Sequence, residues 1–389
     1  MAEIILSHVS KRYGKGHGPF AVKDLSLRIR DREFMVFLGP SGCGKTSTLR
    51  MIAGLEEITE GNLSFDDQHV NDLPPQSRDV AMAFENYALY PTLAVKDNIE
   101  FPLKIRRWPQ SRIDEKVAWV AKAVQITDIL QRRPIELSGG QQQRVSLARA
   151  IVREPRAFLF DEPLSHLDTK QRQGMRTLIK RLHAQLRKTM VYVTHDQNEA
   201  MALADRIAVM HQAELQQVGA PGEILNDPAN AFVAGFVGEP AMNFLDVEIR
   251  AEDGRSAWIA HAGCRLADLP GTLDPASRQA LAAPLQAGIR PHHIEFSETR
   301  MRATDLATEV GTYESLGERG VLTVHLQSQD VTILTPPDQT FRKAQPLWIH
   351  CPLEHMYFFS KETGKRFHLD FLDRRATHES HGTYGNQEN

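Results

Sequence analysis

Apolar positions along this chain follow two regimes. Up to about residue 235, short apolar runs alternate with stretches of helical period; beyond it, short β-type runs are separated by Pro and Gly turns. Phe34 to Leu38 and Ala157 to Phe160 are continuously apolar, the pattern of strands covered on both faces. Glu3 to Val9, Phe20 to Ile29, Asn62 to Phe65, Val80 to Phe84 and Met190 to Val193 read as further strands. Ile113, Val117, Val120, Ala121 and Val124 fall on one helical face, as do Met175, Leu178, Ile179, Leu182 and Leu186. Together they predict an α/β domain in which segment 86 to 150 is a mostly helical insert. The later runs, Phe244 to Ile249, Val321 to Leu326, Val331 to Leu334, Leu347 to His350 and Met356 to Phe359, predict a small all-β domain.

Composition changes this picture little. A chain of 389 residues holds two or three domains, at about 150 residues each. The net charge of -3 gives no reason to expect a nucleic-acid partner, and the β domain has no basic, aromatic-interleaved strand. Cys43, Cys264 and Cys351 are too scattered for a disulfide framework or zinc site, so a reducing, cytoplasmic setting is expected. The start Ala2-Glu3-Ile4-Ile5-Leu6 lacks the features of a signal peptide. No apolar run approaches the roughly 20 residues that span a bilayer.

The chemistry lies where strands end. Gly39-Pro40-Ser41-Gly42-Cys43-Gly44-Lys45-Thr46 fits G-x-x-x-x-G-K-[ST], with the strand Phe34 to Leu38 before it and a helix, Thr46 to Ile52, after it. Glycines let backbone N–H groups wrap an anion, and the helix dipole adds positive potential. Lys45 can reach β- and γ-phosphates, and the Thr46 hydroxyl can bind Mg²⁺. Ser138-Gly139-Gly140-Gln141, opening a helix from Gln142 to Val152, is a second candidate anion site; a capped helix start without a ligand has the same pattern. Asp161 suits Mg²⁺, and Glu162 suits a general base. His195 stands beside them if its strand neighbours theirs. Tyr13, just before a glycine-rich turn, suits either adenine stacking or ordinary half-burial. The aromatic loop Glu85 to Pro91 suits contact with another protein. His292-His293 reads as a surface pair, since no third metal ligand sits at a telling spacing.

These residues together resemble the ATP-binding subunits of ABC transporters. The likeness rests on the phosphate loop at 39–46, Leu-Ser-Gly-Gly-Gln at 137–141, the acidic strand end at 158–162, Ser165-His166-Leu167-Asp168, and His195 as the family's switch histidine. It covers positions 1 to about 235, and Leu-Ser-Gly-Gly-Gln marks this family rather than other phosphate-loop ATPases. Tyr-Ala-Leu-Tyr-Pro at 87–91, Pro-Leu-Ser-x-Leu-Asp at 163–168 and Met242-Asn243-Phe244 look like the ATPases of importers for maltose, other sugars and polyols, and glycerol 3-phosphate. Gly288-Ile289-Arg290-Pro291 is similar to their regulatory domain, a small barrel of the oligonucleotide-binding (OB) type called TOBE. The expected organisation is therefore an ABC ATP-binding domain over 1–235 with a helical subdomain at about 86–150, an OB/TOBE-type β domain over 236–373, and a disordered polar tail, 374–389.

The resemblance implies ATP and Mg²⁺ as ligands and two cassettes packed head to tail. Residues Gly39 to Thr46 of one cassette and Ser138, Gly139, Gly140 and Gln141 of the other would enclose each ATP. Tyr13 would stack on adenine, Lys45 and His195 would hold the γ-phosphate, and Glu162 would polarise water. Thr46, Glu85 and Asp161 would serve the metal, and Asp168 would communicate across the dimer. The implied partners are a second ATPase subunit, identical or not, membrane permease subunits, and indirectly an extracytoplasmic solute-binding protein. The implied place is the cytoplasmic face of the inner membrane. Glu85 departs from the family's usual glutamine: an ionised carboxylate can ligate Mg²⁺ but cannot donate a hydrogen bond, and it adds negative charge beside Glu162. It is expected to slow or retune hydrolysis and to favour pairing with a second, non-identical ATPase subunit, or to be a tolerated change in a normal homodimer. The alternatives are a weakly hydrolysing regulatory subunit of a heterodimer and a soluble ABC ATPase not engaged in transport.

Overall fold

The computed structural model describes residues 3–14, 18–252, 256–269, 284–327, 329–367 and 369. The chain divides into two compact units, Met1–Asn226 and Asp227–Asn389. The tail expected at 374–389 lies outside the described residues.

The first unit runs β1 (Ile4–Arg12), β2 (Phe20–Ile29), β3 (Phe34–Leu38), α1 (Lys45–Ala53), β4 (Glu60–Phe65), β5 (Gln68–His69), β6 (Val80–Ala83), α2 (Val95–Ile105), α3 (Gln110–Ala123) and α4 (Gly139–Ile151). It continues with β7 (Ala157–Asp161), α5 (Thr169–Leu186), β8 (Thr189–Thr194), α6 (Gln197–Leu203), β9 (Arg206–His211), β10 (Glu214–Gly219) and α7 (Pro221–Asn226). Six strands form a sheet in the order β10-β9-β3-β8-β7-β6, parallel except for β10. An antiparallel sheet, β2-β1-β4-β5, covers one face.

Alternation along each central strand feeds two cores. Met35 and Phe37 of β3, Leu159 of β7 and Val191 and Val193 of β8 pack with Ile4, Leu6, Leu63 and Phe65 of the small sheet and Leu49 and Ile52 of α1. The opposite face packs aromatic rings in a row: Phe34 and Phe160 lie tilted against Tyr192, and Phe160 stacks on Phe158. Both faces being covered, every residue of β3, β7 and β8 is buried, which explains the uninterrupted apolar runs Phe34 to Leu38 and Ala157 to Phe160. In the insert, the stripe Ile113, Val117, Val120, Ala121 and Val124 is buried as its period requires.

α4 begins three residues earlier than the sequence pattern indicated, at Gly139 rather than Gln142. The reason is a capping box: Ser138 Oγ accepts from Gln141 N at 3.4 Å, and Gln141 Oε1 accepts from Ser138 N at 3.0 Å. The cap offsets the poor helix propensity of the two glycines and draws them into the first turn.

The second unit consists of α8 (Ala231–Phe236), β11 (Asn243–Glu252), β12 (Ser256–His261), β13 (Cys264–Leu269), β14 (Leu285–Ile289), β15 (Glu295–Ser297), β16 (Leu306–Ser315), β17 (Gly320–Leu326), β18 (Gln329–Thr335), β19 (Pro346–His350), β20 (Met356–Ser360) and β21 (Arg366–Phe367). Two antiparallel sheets, β13-β12-β11-β14-β20-β21 and β15-β19-β16-β17-β18, enclose one core that includes Leu245, Ile259, Ile289, Val324, Ile333 and Ile349. Residues 227–235, assigned to the first domain by sequence, pack here instead: Ala231 N donates to Gly364 O at 2.8 Å, Arg290 Nη1 to Ala234 O at 3.1 Å, and Ala234 packs on Met242 and Phe359. His293 stacks on His355 with ring centroids 3.8 Å apart. Burial and its charged neighbours push the His293 imidazole down to about 4. Among the described residues no three His, Cys, Asp or Glu side chains are grouped to hold a metal ion.

Arg78 secures the end of α1. Its guanidinium, 4% exposed, donates to the carbonyls of Met51, Ile52, Leu73 and Asn71 at 2.6–3.2 Å. Arg78→Met keeps the length but strands these carbonyls. It should lower unfolding free energy by about 2–4 kcal/mol. Urea denaturation of the two proteins measures this, and unchanged midpoints would contradict it.

Candidate nucleotide site

Parallel register brings the site together. Leu38 of β3 pairs with Thr194 of β8, and Asp161 of β7 pairs with Val193. The phosphate loop, the acidic pair and His195 therefore emerge side by side at the carboxyl ends of neighbouring strands, where α/β sheets bind ligands.

The loop Gly39 to Thr46 is tight at Gly39 and Gly44, where there is no room for a side chain. A Cβ on Gly39 would lie 2.2 Å from Met210 O, and one on Gly44, at φ 105°, 2.2 Å from Ala21 O. Lys45 is 4% exposed and curls over the loop, donating from Nζ to Gly39 O and Pro40 O at 2.8 Å each. Anionic phosphate oxygens are stronger acceptors than these carbonyls and can recruit the ammonium. Cys43 is buried, with Sγ 3.8 Å from Lys45 Nζ, and burial raises its thiol pKa, so it packs the loop rather than acting as a nucleophile. Tyr13 is exposed at the rim, its hydroxyl 3.1 Å from Ser47 Oγ and its ring 5.0 Å from Lys11 Nζ.

Thr46 Oγ1 donates to Asp161 Oδ1 at 2.9 Å. Burial pushes the Asp161 carboxyl up, with Thr46 and Arg50 opposing and the charges of Glu162 and Glu85 adding to the rise. Oxygen donors with few protein carboxylates fit Mg²⁺, which keeps waters and binds largely through phosphates rather than in a protein cage. The paired oxygens of Thr46 and Asp161 are of the kind Mg²⁺ takes, whereas the contacts of Glu85 are with Ser165 and His166.

Glu162 sits at φ 42°, uncommon for a residue with a side chain. Its N–H donates to Val193 O at 3.0 Å, and its Oε2 lies 2.9 Å from His195 Nδ1. The expected juxtaposition of base and histidine is present. Glu85 accepts from Ser165 Oγ at 3.4 Å and lies 3.6 Å from His166 Nε2. Gly139 faces Tyr87 and Leu167, Gly140 faces Gln171, and Asp168 caps α5 by accepting from Gln171 N at 2.8 Å.

Sequence reasoning passed over Glu199. It is 3% exposed and its Oε2 receives both Tyr192 Oη–H and Thr194 Oγ1–H at 2.8 Å. Burial raises its carboxyl pKa. Thr194 Oγ1 also accepts from Asp196 N at 3.0 Å, so the network holds the strand tip that carries His195. Hydroxyls at two alternate positions of β8, with a carboxylate one helical turn beyond, were the signal.

A phosphate loop opening a helix, with a Thr–Asp pair and a Glu–His pair at the same sheet edge, defines a phosphate-loop ATPase. A family described as ABC transporter matches residues 22–165. The trehalose/maltose import ATP-binding protein MalK of Thermococcus litoralis is 45% identical, over 94% of this chain and 99% of its own length. The trehalose import ATP-binding protein SugC of Mycobacterium tuberculosis is 47% identical, over 82% of this chain and 80% of its own. A solved structure titled as the dimeric structure of MJ0796, a bacterial ABC transporter cassette, is 33% identical with a TM-score of 0.51, over 56% of this chain and 98% of that one. The chain belongs to the family of ABC transporter ATP-binding proteins and is an ATPase.

Glu162→Gln keeps size and removes the carboxylate expected to act as base. Hydrolysis should fall roughly 10²–10⁴-fold, while affinity for a fluorescent ATP analogue stays within about threefold, since a uniform loss of binding is not expected. A rate within a few-fold of the parent would remove Glu162 from the chemistry.

Proposed function

We propose that this chain is the ATP-hydrolysing subunit of a sugar importer. The observation that carries the reading is 45% identity to a trehalose/maltose import protein across 94% of the chain, which takes in the β unit as well as the ATPase unit. In this reading the β unit is a regulatory barrel of the OB/TOBE type. The protein works at the cytoplasmic face of the membrane, held by permease subunits; no helix of the described residues is long and apolar enough to cross.

The mechanism follows from the site. Loop amides from Gly39 to Thr46 and the α1 dipole bind the β-phosphate. Lys45 leaves the Gly39 and Pro40 carbonyls for the β- and γ-phosphates. Thr46 and Asp161, joined by Glu85, would hold Mg²⁺, which would offset phosphate charge. Glu162 takes a proton from the attacking water, and His195, 2.9 Å away, turns toward the γ-phosphate. Ser138 to Gln141 of a second cassette close over the same ATP, so binding joins two chains and hydrolysis separates them. The dimeric cassette titled MJ0796 supports this arrangement. Tyr13 stacks on adenine, and the loop from Glu85 to Pro91 meets the membrane subunits.

Co-purification with integral membrane subunits, and loss of labelled trehalose or maltose uptake when Lys45→Ala replaces the parent chain, test the function. Uptake untouched by that variant, or recovery free of membrane subunits, would favour an ABC ATPase outside transport.

A second reading concerns Glu85. Burial is the main cause of the Asp161 rise; the Glu85 carboxylate, held at Ser165 and His166, adds a smaller negative charge that glutamine would not, and this added charge favours a slowed or retuned enzyme. Glu85→Gln in the assembled transporter should raise hydrolysis at limiting Mg²⁺ more than at saturating Mg²⁺. Equal rates at all Mg²⁺ concentrations would leave Glu85 a tolerated substitution.

A further inference from the structure

The segment after β6 is held in an uncommon backbone shape. Tyr87 and Ala88 are consecutive residues with side chains at φ 60° and 47°, in the left-handed region. Such conformations persist only where the surroundings over-determine them, and they concentrate at functional sites. The surroundings here are three clamps. Asn98 of α2, fully buried, holds Tyr90 by both backbone groups, at 2.8 and 3.1 Å, and also donates to Leu93 O and Ala94 O. Glu85 reaches Ser165 and His166. The third clamp is Arg149, whose guanidinium donates to Ala88 O at 2.5 Å and Tyr87 O at 3.0 Å and lies 5.5 Å from the Tyr90 ring.

Arg149 sits in the last turn of α4, ten residues beyond Gly139 at the other end of the same helix. A straight helix carries those ends about 15 Å apart as one rigid rod. Tyr87 touches both: its carbonyl is held by Arg149, and its hydroxyl packs by the Gly139 backbone, 3.6 Å from where a Cβ would stand. Its ring also meets His166 edge-on, with centroids 6.2 Å apart. Any shift of α4 driven at Ser138 to Gln141 must therefore move, or break from, the two left-handed residues.

We propose that Arg149 is a positioning residue that couples the ATP-engaging end of α4 to the loop Glu85–Pro91, converting cassette closure into movement of that loop. This rests on the reading of the loop as the surface met by the membrane subunits. The guanidinium's rigid planar fork fixes the two carbonyls in one geometry relative to the helix; a lysine can donate to both, but from a flexible stem that does not hold that geometry.

The test uses Arg149→Lys and Arg149→Ala in the assembled importer and in the isolated chain. Sugar moved per ATP hydrolysed should fall about 2- to 30-fold, the range of mutations along coupling networks. Hydrolysis by the isolated chain should stay within roughly twofold, since its nucleotide contacts are unaltered. Amide hydrogen exchange of residues 86–90 in the isolated chain should respond to ATP in the parent and not in either variant. Parental transport stoichiometry together with parental exchange in both variants overturns the proposal. So does an equal loss of hydrolysis and transport, which would place Arg149 in catalysis. If Arg149→Ala does not fold, the lysine variant decides. If the parent complex moves no sugar, the transport reading fails, and the exchange experiment still tests the tie.

Discussion

Everything at the nucleotide site depends on the register of three parallel strands. β3, β7 and β8 are buried on both faces, so each is locked by packing along its full length. A one-residue slip would exchange the small-sheet core for the aromatic core at every position. That rigidity fixes the heights at which Gly39, Asp161 and His195 leave the sheet. The precision of the Thr46–Asp161 and Glu162–His195 contacts is inherited from hydrophobic packing behind them, not built by the polar groups themselves. Glu199 extends the principle by anchoring the tip of β8 from below.

The groups at that edge and the groups on the helical insert are different in kind. The edge is assembled from strand ends and is stiff. The insert presents Ser138 to Gln141 at the start of α4, facing Tyr87, Leu167 and Gln171. In the proposed mechanism these two halves of a pocket belong to different chains. ATP is then both substrate and adhesive, and the strained Tyr87–Ala88 segment, inside the loop proposed to meet the membrane subunits, touches both ends of α4.

Much of this was legible in the sequence where one physical rule governs. Continuous apolar runs marked β3 and β7, because burial on two faces leaves few polar positions; β8 was read as a further strand from Met190 to Val193. Glycine spacing and Lys45-Thr46 marked the phosphate loop, because only that backbone approaches an anion so closely. The start of α4 was misplaced by three residues, since glycine's poor propensity hid a capping box. In the β unit, β16 was missed because its text, Leu-Ala-Thr-Glu-Val-Gly-Thr-Tyr-Glu-Ser, is mostly polar and gains its order from β17 and β19. Arg149, Glu199 and His166 were illegible as partners, because their contacts join segments distant in the chain.

The central claim is that one copy supplies only half of each working pocket. Its most direct measurement is the ATP hydrolysis rate per chain as the isolated protein is diluted, for the parent and for Gly140→Asp. The account predicts that the parent's rate per chain falls as dimers dissociate and that Gly140→Asp is inactive throughout. A strictly monomeric preparation turning over at full rate, with Gly140→Asp equally active, would contradict it.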